Sequence, residues 1–97
     1  MPVTIVGTMI ATPGSEATVC EALKSLIKSS SGEDGCLRYE LYQSTVDPSR
    51  FFTFEVWRDP SDLDAHMRAP YMVEAAIGAS EHLVGGMFQT NPVELIE

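Results

Sequence analysis

The sequence predicts a domain of the α+β class, an antiparallel sheet with helices on one face. Three observations carry that expectation. Apolar stretches with strand character alternate with helix-period stretches in the order β-α-β-β-α-α-β. The 97 residues, 44% hydrophobic and 21% charged, make one small globular domain spanning 1–97 rather than a disordered or fibrous chain. The first and third strand segments are apolar on both faces, with Val3, Ile5 and Met9 against Val6 and Ile10, and Phe51 and Trp57 against Phe52, Phe54 and Val56. The element order matches the ferredoxin-like split βαβ plan, whose helices cover only one side of the sheet.

Residues 3–11 are a β-branched, apolar run that suits a strand. Thr12-Pro13-Gly14-Ser15 breaks it and offers Ser15 as an N-cap. Val19, Ala22, Leu23, Leu26 and Ile27 then recur at helical spacing, and the polar stretch 29–35 ends the helix. Residues 36–45 and 51–57 read as two strands of a hairpin around Val46-Asp47-Pro48-Ser49. Asp59-Pro60-Ser61-Asp62 is a helix start, because Asp59 caps, Pro60 needs no N–H partner there, and Asp62 meets the positive end of the dipole. That helix places Leu63, His66 and Met67 on one face and stops at Pro70. Residues 71–83 form a further helical piece, Gly85-Gly86 breaks it, and 87–96 is a last strand in which Pro92 argues for an edge position or a bulge.

Charge and composition exclude several functions. Six Lys/Arg against fourteen Asp/Glu give a net charge of −8, so nucleic-acid phosphates and anionic membranes are poor partners. No apolar run approaches the ~18 residues of a membrane span, and no signal-like segment opens the chain. The expectation is a soluble, unexported, cytoplasmic protein. Cys20 and Cys36 are too few for a disulfide scaffold and wrongly spaced for a redox or zinc motif, which leaves two reduced thiols. No metal, nucleotide or hydrolase motif is present, so neither a metal nor a cofactor is expected. The uncovered sheet face needs burial, and a second copy packed face to face as a C2 homodimer is its simplest cover.

Four stretches carry a family resemblance. They are Pro13-Gly14, Gly35-Cys36-Leu37-Arg38-Tyr39, Phe54-Glu55-Val56-Trp57, and Leu63-Asp64-Ala65-His66-Met67-Arg68-Ala69-Pro70-Tyr71-Met72. Their order and spacing resemble the antibiotic biosynthesis monooxygenase family of dimeric α+β barrels, and within it the quinol-monooxygenase-like members. The resemblance implies a homodimer with a pocket between sheet and helices. It also implies oxygenation of hydroquinones or anthrones by molecular oxygen without metal or flavin. Other members degrade haem, and a related one isomerises a phosphorylated sugar derivative. The chain departs from the haem-degrading pattern, since its first strand has no Asn and Glu74-Ala75-Ala76 offers no ligand. It also has Tyr71 where quinol-type relatives usually carry His.

Candidate site residues follow, each with a structural alternative. His66, on the apolar helix face, is the candidate general base, because imidazole accepts a phenolic proton near neutral pH. The alternative is a buried His bonded to a strand residue such as Glu55. Glu55, a carboxylate among aromatics, is the candidate orienter of His66, or else half of an ion pair with Arg38, Arg58 or a partner chain. Trp57 and Phe54 are candidate pocket walls or plain core. Tyr71 offers a hydroxyl to a quinol oxygen, Met67 borders the same site, and Arg38 offers a charge to an anionic substrate group. His82, near a helix end, reads as a cap. The functional expectation is a cofactor-independent monooxygenase of a small electron-rich aromatic. Its rivals are a non-enzymatic dimer holding a hydrophobic ligand and an isomerase of a small sugar-derived substrate.

Overall fold

The computed structural model describes residues 1–97. Four strands, β1 (Val3–Ile10), β2 (Cys36–Gln43), β3 (Arg50–Trp57) and β4 (Gln89–Val93), form one sheet in the order β2-β3-β1-β4, with every pair antiparallel. Helices α1 (Glu16–Ser31), α2 (Pro60–Arg68) and α3 (Pro70–Ala79) complete the α+β ferredoxin-like plan, with two short 3₁₀ turns after α3.

Strand alternation sorts the side chains. Along β1 from Ile5 and along β3 from Phe51 the odd-numbered residues are buried and the even-numbered ones half-buried. Of the buried set, Met9 and Phe51 pack in one core with Val19, Leu23 and Leu26 of α1 and Met72 of α3, Ile5 lies on the same face, and Trp57 meets His66 of α2. The half-buried set, Val6, Ile10, Phe52, Phe54 and Val56, occupies the opposite face. Gly7 lies across from Thr53, and a Cβ there would overlap the Thr53 hydroxyl, so only glycine lets that side chain lie across β1.

Several boundaries differ from the sequence expectation. The last strand pairs with β1 only over residues 89–93, opposite Thr4–Thr8. Pro92 does occupy an edge strand. The third helix ends at Ala79 instead of running to residue 83, since Leu83 turns extended and bridges Ala11. Ser15 stands at the start of α1 but makes no side-chain cap. Its hydroxyl instead meets Thr12 Oγ1 at 3.0 Å and His82 Nδ1 at 3.2 Å. His82 is therefore a tether between the post-α3 turn and the start of α1, not a helix cap. Asp59 caps α2 as expected, accepting from the Ser61 and Asp62 amides.

Candidate functional site

A cavity of about 170 Å³ lies between the inner face of the sheet and the helices. Its walls are mostly apolar, including Ile5 and Met9 of β1, Leu23 and Leu26 of α1, and Leu63 and Met67 of α2. Thr90 and Pro92 of the exposed edge strand β4 complete one side. Five polar residues give this greasy chamber its chemistry: Tyr39, Thr53, Glu55, His66 and Thr90.

His66 is 1% exposed. Helical spacing puts it on the sheet-facing side of α2, where its ring stacks on Trp57 with centroids 4.4 Å apart and planes at 29°. Tyr39 meets the same ring edge-on at 5.7 Å. Nδ1 of His66 lies 2.6 Å from Oε2 of Glu33, on the loop between α1 and β2. A carboxylate can only accept, so in the neutral ring Nδ1 carries the proton and Nε2 the free lone pair. Nε2 has no hydrogen-bond partner in the chain, yet no fully buried side-chain nitrogen or oxygen lacks one. His66 lines the cavity, and Nε2 is its unpartnered ring nitrogen. The Tyr71 hydroxyl, at the start of α3, bonds Glu33 Oε2 and approaches Ser30 Oγ at 3.2 Å and His66 Nδ1 at 3.4 Å.

Close backbone approach makes this arrangement possible. Gly35 is buried against Asp62 at the start of α2, and a Cβ at position 35 would overlap the Asp62 side chain. The Gly35 carbonyl accepts from the Arg58 amide at 2.9 Å. The loop bearing Glu33 is thus pinned to the turn that launches the helix bearing His66.

Glu55 does not orient His66. Its carboxylate accepts from Thr53 Oγ1 at 3.0 Å and from Trp57 Nε1 at 3.1 Å, because Thr53, Glu55 and Trp57 alternate onto one face of β3. No Lys, Arg or His of this chain pairs with it, so the expected ion pair with Arg38 or Arg58 is absent. Burial pushes the Tyr39 hydroxyl well above the usual phenol range, and the Glu55 charge adds to the effect. Burial, then the bond to Glu33, pushes Tyr71 up to about 12. Both phenols therefore stay protonated and able to donate at neutral pH. Burial also raises the Cys36 thiol, which suits a packed residue rather than a nucleophile. No three His, Cys, Asp or Glu side chains converge to hold a metal ion.

Residues 2–76 match the family model described as antibiotic biosynthesis monooxygenase. The chain belongs to the antibiotic biosynthesis monooxygenase family. It is 30% identical over 73 residues to the Synechocystis sp. protein sll1783, covering 75% of this chain and 50% of that one. The chain thus spans half the length of that relative. It is 30% identical over 70 residues to Rv0793 of Mycobacterium tuberculosis, provisionally named a monooxygenase, covering 72% of this chain and 68% of that one. The crystal structure of PA3566 from Pseudomonas aeruginosa superposes with a TM-score of 0.89 at 27% identity, over 99% of this chain and 95% of that one.

On this monooxygenase-family scaffold the residues singled out from sequence divide into two groups. His66, Glu55 and Met67 border the cavity. Trp57, wholly buried, supports His66 from behind, and Tyr71 joins its polar network. Phe54 and Arg38 lie elsewhere. Phe54 is on the opposite face of the sheet, where the Arg38 guanidinium sits 4.8 Å from its ring centroid. Neither is a wall of the cavity or a ligand to anything in it, because each sits at an outward register position. Sequence reasoning missed Glu33 and Ser30. Glu33 falls in a stretch with no periodicity, and only its place beside the tightly packed Gly35 marks it.

Proposed function

We propose that the chain is a monooxygenase that oxidises a small, electron-rich, single-ring aromatic of the hydroquinone type with molecular oxygen. The observation that carries this reading is an imidazole that lines an apolar cavity with Nε2 unpartnered while Glu33 holds Nδ1. His66 Nε2 takes the phenolic proton, and the dry walls leave the resulting anion poorly solvated. Ground-state oxygen is a triplet and reacts slowly with closed-shell molecules. The phenolate passes it one electron, giving a radical pair, and recombination forms the C–O bond of a peroxide. His66 returns its proton to that peroxide. Loss of water then leaves a hydroxylated quinone, so one oxygen atom enters the product and the other leaves as water. Substrate supplies all the electrons, and the balance requires no further reductant.

The cavity volume supports a single ring over a tricyclic anthrone, since about 150 Å³ of apolar cavity suffices for benzene. It also disfavours the phosphorylated-sugar reading, because no Lys or Arg lines it. The functional form we propose is the homodimer, with the half-buried faces of two sheets packed together. The test is oxygen uptake with a panel of single-ring hydroquinones. His66→Ala should lower the rate about 10²-fold or more. Undiminished turnover in that variant removes His66 from the mechanism. Ligand binding by the wild type with no oxygen uptake leaves only a hydrophobic-ligand-binding dimer.

A further inference from the structure

Glu55 is a carboxylate that is 4% exposed, borders the cavity, and has no cation beside it. All six Lys and Arg side chains of the protein lie on its surface. Glu55's two bonds come from neutral donors, one to each oxygen, and each oxygen can accept more. A second carboxylate, Glu33, stands behind His66. Glu33 is engaged by His66, so Glu55 is the one carboxylate of the chamber's lining, with no Lys or Arg beside it, in a low-dielectric setting where charge acts strongly. Burying such a group is costly unless something completes its shell.

We infer that Glu55 is the specificity-determining residue of the cavity, accepting a hydrogen bond from a donor group at the end of an aromatic ligand away from its reacting hydroxyl. That donor is a hydroxyl or an ammonium group. Anionic ligands of the same shape are rejected by the Glu55 carboxylate. This rests on the cavity being the substrate site, as proposed above. It goes further by assigning the ligand a neutral or positive charge and a second polar end.

Four phenols with arms of similar size separate the cases: tyramine (ammonium), tyrosol (hydroxyl), para-ethylphenol (no donor) and para-hydroxyphenylacetate (carboxylate). Affinities are measured by titration calorimetry on the intact protein in oxygen-free buffer. Tyramine and tyrosol should bind about tenfold or more tighter than para-ethylphenol, and the carboxylate about 100-fold more weakly than tyramine. Tyramine ahead of tyrosol makes an ammonium the preferred donor; equal affinity makes it a hydrogen-bond donor of either charge. In E55Q the gap between tyramine and the carboxylate should shrink to about threefold. Equal affinity for tyramine and the carboxylate in the wild type overturns the inference. So does an unchanged ranking in E55Q, or failure of all four to bind. The wild-type series decides alone if E55Q does not fold. Binding in the expected order without oxygen uptake by hydroquinones would sink the oxygenase reading and leave charge selection standing. Oxygen uptake with no charge preference would do the reverse.

Discussion

The two faces of β3 are drawn from one eight-residue stretch, Arg50–Trp57, yet they have opposite characters. The inward set, Phe51, Thr53, Glu55 and Trp57, is buried and half polar. Its polar atoms satisfy one another, with Thr53 and Trp57 both donating to Glu55. The outward set, Phe52, Phe54 and Val56, is apolar but only half-buried. Polarity thus sits where the helices enclose a chamber, and grease sits where no helix packs. A residue's hydrophobicity does not say which side is inside; its hydrogen-bond partners and the covering layer do.

Four substitutions or conditions would sharpen or break that contrast. Trp57→Ala should have the largest effect. It removes a wholly buried indole, the support of His66 and one donor to Glu55, so stability should fall by about 3–5 kcal/mol in urea unfolding. A loss below about 1 kcal/mol would mean that the inner face is not the core. Phe54→Asp, three residues away on the outer face, should leave the subunit folded by circular dichroism. It should convert the proposed dimer to monomer in light scattering at micromolar concentration. An unchanged mass would take the dimer seam away from this face.

Gly7→Ala should cost about 1–3 kcal/mol, because the added methyl displaces the Thr53 hydroxyl from its bond to Glu55. Thermal unfolding reads this directly, and a neutral result would mean that Thr53 has room to shift. The smallest effect is at high pH. Tyr71 is held protonated in the folded state up to about 12, above the ordinary phenol value near 10. Its contribution is therefore complete below about pH 10 and is lost as pH rises toward 12. The urea midpoint should decline across that window, and Tyr71→Phe should flatten the decline. An equally steep fall in the variant would assign it to other groups.

Much of the architecture was legible from local pattern. The Asp59-Pro60 start of α2, the hairpin of β2 and β3, the edge position of Pro92 and the double-faced apolarity of β1 and β3 all follow from capping chemistry, turn residues and period-two alternation. His66 was legible too, as an imidazole on an apolar helix face. What local pattern misjudged were segments whose fate depends on distant partners. Leu83 leaves its helix to bridge Ala11, and the final strand pairs with β1 only over residues 89–93. Phe54 is a candidate wall beside Trp57 because neighbouring aromatics look alike in sequence, although positions an odd number of residues apart on a strand face opposite sides.

Composition, periodicity and capping residues were enough to specify one acidic α+β domain with a buried imidazole and an apolar second face. They could not pair His66 with Glu33 rather than Glu55, because 33 residues of chain separate the first two and only folding brings them to 2.6 Å. That contact depends on Gly35 letting a loop settle against the start of α2, and on β3 committing Glu55 to Thr53 and Trp57. Hydrogen bonds act over about 3 Å in space, whatever the distance along the chain. The choice between two carboxylates therefore belonged to three-dimensional packing.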